Sequence, residues 1–265
     1  MLSWSFLVAN SRRKLARLSL AVVLVAVTAA RAAAQMPLPS DRWFIDVNFG
    51  LQTGSRTFSE ISRPIIYDEP ASVTTAHKVE GLKALLDLGG GIRFGGNLGA
   101  GATYVRFDGD DAGQTTARVP HPVQFNQPRT AVLAAEGLQH VESALHFFAL
   151  WDLPLPERIG VALFAGPSLV TVKQDVVTGL VLGAEEPPFA QPAIAGVASD
   201  ERTDTGFGFN LGADVAYFLT PAIGFGVTIR YVNASVDLGP EGSALNGLDA
   251  GGFQFGFGAR LRFKK

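Results

Sequence analysis

The feature that most constrains this chain is a strict alternation of apolar and polar residues near its C-terminus, in residues 251–265. The odd positions are apolar: Phe253, Phe255, Phe257, Ala259, Leu261 and Phe263. The even positions are polar or glycine: Gln254, Gly256, Gly258, Arg260 and Arg262. Successive side chains of a β-strand point to opposite faces, so this pattern predicts a strand with one apolar and one polar face. The apolar face could contact either the core of a soluble protein or lipid.

The same alternation predicts seven further strands, at residues 42–55, 80–94, 98–107, 139–152, 158–173, 205–219 and 223–231. Long connections at residues 59–79, 108–138, 174–204 and 233–250 alternate with short turns near residues 95–97, 153–157 and 220–222. Both chain ends therefore fall on the short-turn side. A hairpin extension around residues 176–184 would raise the strand count to ten.

This arrangement predicts an all-β fold, an eight-stranded antiparallel up-and-down transmembrane β-barrel with long outer loops and short periplasmic turns. A soluble sandwich would not require alternating connection lengths. A lipocalin-like soluble barrel is also eight-stranded but would turn its polar faces to water. Here those faces are rich in glycine and poor in Lys and Glu, which favours a narrow lumen. The 30 Gly and 19 Phe residues suit a tight interior and a lipid-facing exterior.

The N-terminal segment, residues 1–34, has the pattern of a cleaved export signal. Its basic part contains Arg12, Arg13, Lys14 and Arg17, and the apolar residues 18–30 follow. Small residues before Gln35 provide a cleavage site after Ala34. The apolar run is shorter than the ~17 residues needed for a membrane-spanning helix. We therefore expect one mature domain, residues 35–265.

Charge and cysteine content exclude several classes of function. Cleavage would remove five positive charges and no negative ones, which changes the formal net charge from −2 to −7. A chain with this balance has no basic footprint for nucleic acid. It contains no cysteine, so thiolate metal sites and cysteine nucleophiles are excluded. We predict no cofactor and no metal.

Ionisable residues on the predicted inward faces form a candidate lumen charge network. Its members are Asp46, Lys83, Asp87, Arg93, Glu142, His146, Asp214, Arg230, Arg260 and Arg262. Buried charges require partners, so these residues would neutralise one another. One interpretation is a plug that fills the barrel, because eight strands leave room for little more than side chains. The other is a gate whose ion pairs exchange to open a narrow path.

The pattern resembles the OmpA/OmpX-type and OmpW-type small outer-membrane barrels of Gram-negative bacteria. Such proteins end in an assembly signal that Gly258, Leu261 and Phe263 match, although Gly256 and the terminal Lys264 and Lys265 depart from it. The resemblance implies export to the outer membrane and contact with its assembly machinery, with lipid and with lipopolysaccharide. It implies a monomer by default, either a scaffold with surface loops or a narrow channel.

Some similar barrels modify lipid A with a His, a Ser and a carboxylate. His140, Glu142 and Ser143 lie close together in this sequence. Strand parity places Ser143 on the opposite face from His140, so we predict that the protein is not an enzyme. The acidic run at residues 108–111 is predicted to be a solvated hairpin tip rather than a Ca²⁺ loop.

Aromatic residues at strand ends are candidates for anchors at the two membrane interfaces. These residues are Trp43, Tyr104, Trp151, Tyr217 and Tyr231. Trp151 and Tyr217 lie beside short turns, which predicts the periplasmic side. Tyr104 and Tyr231 are predicted to lie on the outer side.

Overall fold

The computed structural model describes residues 41–54, 56–79, 82–95, 97–156, 158–239 and 245–263. The predicted signal peptide and the terminal Lys264 and Lys265 lie outside these residues. The described residues form twelve β-strands: β1 (Trp43–Thr53), β2 (Arg56–Ser62), β3 (Ile65–Ile66), β4 (Glu69–Pro70), β5 (Ser72–Val79), β6 (Leu82–Gly95), β7 (Leu98–Val119), β8 (Arg129–Asp152), β9 (Ile159–Leu182), β10 (Ile194–Phe218), β11 (Ile223–Val236) and β12 (Leu248–Phe263). The predicted all-β antiparallel fold is confirmed. In this part of the chain, no helix has the length and apolar character needed to cross a membrane.

Eight of these strands pair antiparallel in a closed order, β1-β6-β7-β8-β9-β10-β11-β12, and β12 pairs again with β1. We call this set the strand ring. On β1, for example, Asp46 lies opposite Arg260 of β12 and Gly89 of β6. Each ring strand therefore has hydrogen-bonded neighbours on both sides, which removes the unpaired edges that an open sheet would expose.

Side chains alternate between the outside and the inside of the strand ring. On β12, Phe253, Phe255 and Phe257 are exposed, whereas Gln254 and Arg260 are buried. The same parity holds on β10, where Phe207 is 81% exposed and Asn210 is buried. The apolar faces predicted from the sequence thus lie outside the ring, and the polar faces line its interior.

Two of the long connections are mostly strand, so the loops predicted at residues 108–138 and 174–204 are wrong. Strand β7 continues to Val119 and β8 begins at Arg129, while β9 continues to Leu182 and β10 begins at Ile194. The acidic run at residues 108–111 lies within β7 rather than at a hairpin tip. In these extensions many outward residues are polar, among them Gln114, Thr116 and Arg118 of β7, but Val132 of β8 and Val181 of β9 are apolar and exposed. The apolar alternation that identified the strands is therefore incomplete, although the backbone pairing continues.

The long connection predicted at residues 59–79 is also largely strand. Strand β2 pairs with β5, and β5 pairs with the distal part of β7, which gives a ten-stranded sheet. The two added strands come from this connection and not from residues 176–184, which lie mainly in β9. Both added strands contain many polar residues, so their periodic apolar signal is weak, which explains the error.

The extended strands form a second, smaller packing unit beyond the ring, which we call the outer unit. Pairing between β8 and β9 stops at His140 and Gln174, and β9 and β10 continue as a separate hairpin. Side chains of that hairpin, including Leu180, pack against buried residues of β5, β7 and β8. The buried members are Ile66, Ala71, Val73, Ala117, Val119, Ala135, Leu138 and Val177. The outer unit therefore has its own apolar core.

Candidate functional site

The interior of the strand ring is the candidate functional site, because it collects most of the buried charges. Small residues make room for them. A Cβ atom on Gly212 would lie 2.3 Å from the Ile229 carbonyl oxygen and 2.5 Å from the Phe164 ring. The large inward side chains of other strands occupy this space. Their polar contacts form four groups at successive heights along the ring axis, and we call each group a layer.

The layer nearest the short turns is built on Arg93 of β6. Its Nη1 donates to Asp41 at 2.6 Å, and its Nε donates to Asp152 at 2.6 Å. Arg262 of β12 lies 3.4 Å from Asp41, and its guanidinium stacks 3.5 Å from the Phe218 ring centroid. This layer joins Asp41, which lies two residues before β1, to the ends of β6, β8 and β12.

The next layer is built on Arg260 of β12. Its Nη2 lies 2.5 Å from Asp214 and 2.8 Å from the Thr228 hydroxyl. Its Nη1 donates to Asn48 at 2.6 Å, and its Nε lies 3.5 Å from Asp46. Arg260 is buried, so these contacts replace the water that the guanidinium would otherwise bind.

A third layer is built on Arg230 of β11. Its Nη1 donates to Asp87 at 3.1 Å and to Gln254 at 3.3 Å. Thr103 also donates to Asp87, and Gln254 donates to Gln52 at 2.8 Å. This polar chain crosses the interior from β11 to β6, and Gln254 extends it to its register partner Gln52 on the neighbouring β1.

Glu142 of β8 forms the layer nearest the long connections. It accepts hydrogen bonds from Arg56 and from Gln52, the latter at 3.1 Å. It lies 3.0 Å from the His140 ring nitrogen Nε2 and accepts the Gly251 N–H at 3.3 Å. Arg56 enters the interior from β2, so the first strand of the outer unit closes this end of the lumen.

Two predicted members of the charge network lie in different surroundings. His146 shares a hydrogen bond of 2.8 Å with Ser168, which also accepts one from Asn210 at 3.0 Å. Among the described residues, the His146 Nε2 has no hydrogen-bond partner. Lys83 packs over Gly109, where a Cβ atom would lie 2.4 Å from its Nζ. The ten predicted residues are therefore distributed over several contact groups.

The sequence did not indicate several residues that complete these layers. Asn48, Gln52 and Gln254 are neutral, but strand parity alone would have placed them inside. Asp41 lies outside the predicted strand. Arg56 was assigned no interior position, since β2 was not recognised.

The remaining space in the interior is small and interrupted. A cavity of about 60 Å³ lies among the Arg260 and Arg93 layers and is lined in part by Asp46 and Phe164. Beside Glu142 lie two voids of about 10 Å³ each. Nearer the long connections, an apolar cluster includes Val172, Val232, Val236, Leu238, Leu245 and Leu248. A water molecule occupies ≈ 30 Å³ in the liquid, so the larger cavity holds very few.

The geometry around His140 does not assemble a hydrolytic site. His140 lies between Gln174, at 2.5 Å, and Glu142, while Ser143 points to the outer face. Ser168 and His146 do contact each other, but both side chains are enclosed in the interior. No group of metal-ligating side chains occurs in the described parts of the chain.

The predicted anchors and assembly residues lie on the ring strands. Trp43 and Tyr217 are exposed and Trp151 is half-buried near the short turns, while Tyr104 and Tyr231 lie toward the outer unit. Gly258 lies opposite Asn48, and a Cβ atom there would collide with the Val47 carbonyl. Phe263 lies opposite Trp43.

Several solved structures are similar to this chain at low sequence identity. Neisserial surface protein A is 13% identical, with a TM-score of 0.40 over 83% of this chain and 97% of its own. OprG from Pseudomonas aeruginosa is 11% identical, with a TM-score of 0.44 over 86% and 98%. The outer membrane protease OmpT from Escherichia coli is 10% identical, with a TM-score of 0.44 over 87% and 100%. No curated protein matches the sequence.

The family model for the outer membrane protein beta-barrel domain matches residues 19–260, which is most of the chain. This match agrees with the antiparallel sheet, the apolar exterior and the charged interior described above. The chain therefore belongs to the outer membrane protein β-barrel domain family.

Proposed function

We propose that the strand ring is an eight-stranded transmembrane barrel in the bacterial outer membrane, exported by the signal at residues 1–34. Its exposed side chains support this placement. On β10 the outward residues from Phe207 to Tyr217 are apolar or aromatic, and Thr205 beyond them is polar. On β7 the change falls between Tyr104 and Arg106. An apolar band between interface aromatics is the surface that lipid requires.

We propose further that the barrel is a non-enzymatic scaffold that presents the outer unit at the cell surface. The observation that carries this proposal is the hydrogen-bonded filling of the interior. Arg260, Arg230 and Arg56 each cross to a carboxylate, and the apolar cluster lies beyond them. Such a lumen has little capacity for ion flow, whereas a rigid outer unit suits recognition.

The experiment is single-channel recording with the refolded protein in planar bilayers. The expected result is no conductance above that of the bare bilayer at any voltage the bilayer tolerates. A heat-dependent shift in gel migration, measured on the same sample, verifies that the barrel is folded. Discrete current steps from heat-modifiable protein would contradict the plugged scaffold.

A narrow channel is the second candidate, and the cavity of about 60 Å³ favours it. To conduct, the ion pairs of Arg230 and Arg56 would have to open, and the apolar cluster would have to separate. Current steps that grow in the double variant R230Q/D87N, in which this ion pair is absent, would identify this path.

An activity on lipid A is the third function to test. Mass spectrometry of lipid A from cells with and without the protein gives a direct readout. The scaffold proposal expects identical spectra, because Ser143 and His140 face opposite sides of β8. A new lipid A species that depends on His140 would overturn it.

A further inference from the structure

Two adjacent rows of side chains cross the outer face of β7 to β10 where the apolar band ends. The lower row is apolar and contiguous in register: Tyr104, Leu145, Leu169 and Phe207. The next row toward the outer unit is polar and equally contiguous: Arg106, Ser143, Thr171 and Thr205. A lipid whose chains cover the lower row would therefore place its headgroup against the upper one.

The polar row carries cations that a headgroup can reach. The side chain of Arg106 is 52% exposed, and its Nη2 lies 3.1 Å from Asp108. One row further out, Lys173 is 40% exposed and lies 2.6 Å from Glu201. Exposed ion pairs contribute little in water, so either cation can exchange its carboxylate for another anion. A phosphate can accept charge-assisted, bidentate hydrogen bonds from the arginine.

On β11, β12 and β1, the outward residues just beyond the apolar band carry no positive charge. On β11, β12 and β1 the first polar residues beyond the band are Asn233, Asp249 and Thr53. Within the described ring strands, the outward cations at this level therefore lie on β7 and β9. An anionic headgroup would select this sector.

We propose that the face defined by Arg106, Ser143, Thr171 and Lys173 binds the phosphorylated headgroup of an outer-leaflet glycolipid. The inference rests on the proposed membrane placement of the ring. Neighbouring strands are about 4.8 Å apart and one row along a strand is about 6.6 Å, so Arg106 and Lys173, which lie two strands and one row apart, are separated by about 12 Å between Cα atoms. Two cations at that separation suit a headgroup with two phosphates joined by sugars. The hydroxyls between them, including the Thr171 and Thr205 pair at 2.8 Å, suit sugar hydroxyls.

The test is binding of bisphosphorylated lipid A to the full protein in neutral detergent, measured by native mass spectrometry. Dephosphorylated lipid A and phosphatidylglycerol are the comparison lipids. The wild-type protein should prefer the bisphosphorylated form. The double substitution R106Q/K173Q should weaken its binding by about tenfold, because two charge-assisted contacts are lost. R118Q, which removes an exposed cation further along β7, is the matched control and should leave binding unchanged.

A second pair of substitutions is expected to act in the opposite direction. D108N/E201Q removes the carboxylates that compete for the two cations and should tighten binding several-fold. A misfolded variant cannot produce this gain. Equal affinity for phosphatidylglycerol, unchanged binding in R106Q/K173Q, or an equal loss in R118Q would each overturn the site.

These readouts are separate from those for the scaffold. Conductance in bilayers would refute the plugged lumen and leave lipid selectivity untouched. Loss of selectivity in a heat-modifiable, electrically silent barrel would refute the lipid site alone.

Discussion

Arg230 of β11 and Asp87 of β6 form an ion pair across the interior of the barrel, with 3.1 Å between Nη1 and Oδ2. The two strands are not neighbours, because β1 and β12 lie between them on one side of the ring. The contact therefore joins opposite walls. The Arg230 guanidinium carbon also lies 5.4 Å from the ring centroid of Phe164, so the side chain contacts a third strand, β9.

Removing one partner of this pair should destabilise the barrel strongly. Asp87→Asn leaves the buried Arg230 without its counter-charge, and breaking such a pair costs about 3–5 kcal/mol. The midpoint of urea unfolding in lipid vesicles, followed by tryptophan fluorescence, should fall accordingly. Asp108→Asn, on the exposed face of β7, is the control and should change the midpoint little. Equal midpoints for the two variants would show that the crossing pair does not support the fold.

Close packing inside the ring gives a second prediction. Gly212→Ala would place a methyl group against the Ile229 carbonyl and the Phe164 ring, and such overpacking costs about 1–3 kcal/mol. Refolding yield, read from heat-modifiable migration on gels, should drop. Gly196→Ala on the same strand is the control, because a Cβ atom there has no described neighbour within 4 Å. A normal refolding yield from Gly212→Ala would mean that the Phe164 ring and the β11 backbone can move to accommodate the methyl group.

The strand faces of the ring could be predicted because each ring strand separates two different environments. The exposed, outward Phe253, Phe255 and Phe257 alternate with the inward Gln254 and Gly256, so the contrast between neighbours is large. The interior layers could be predicted only as a set of inward charges. Their partners depend on register across the ring, and Arg56 reaches Glu142 over 86 positions of sequence.

The outer unit escaped prediction for a related reason. Outside the apolar band, outward positions such as Arg106 and Asp108 are polar, and inward ones such as Ala117 are small. The contrast between the two faces is then weak, and the prolines at residues 120–128 suggest a loop. The distal part of β7 pairs with β5, whose sequence shows no clear alternation of apolar and polar residues. No local sequence pattern therefore predicted this pairing.

Glu60 of β2 connects β5 and β9 within the outer unit, which leads to a third prediction. Its carboxylate contacts His77 at 3.0 Å and accepts the backbone N–H of Val177 on β9. Glu60→Ala removes the acceptor for that buried N–H, at a cost of about 1–3 kcal/mol. Hydrogen exchange should accelerate in β2 and in β9 beyond residue 175, while β12 stays protected. Glu136→Ala, at an exposed position of β8, should exchange like the wild type. Unchanged protection in Glu60→Ala would assign the packing to the apolar core alone.

The connections beyond β7 and β9 should respond to acid. Arg129 donates to both oxygens of Glu185, at 2.7 and 3.0 Å, and to the carbonyl of Pro120 at 2.9 Å. The hydrogen bond from Arg129 holds the pKa of the Glu185 carboxyl below its usual range. A lowered pKa in the folded state stabilises the contact above the unfolded value, and this stabilisation is lost as the pH falls through the lowered pKa.

We therefore expect proteolysis of residues 183–193 to be slow near neutral pH and to accelerate below about pH 4, where the carboxyl becomes protonated. Pepsin at acidic pH and thermolysin near neutral pH allow the rates to be compared across this range, each normalised to an unstructured peptide cleaved at the same pH. Glu185→Gln cannot lose a charge, so its cleavage should be faster at the upper end of the range and nearly independent of pH. A wild-type rate that stays flat through this range would show that Arg129 and Glu185 do not hold the two connections together.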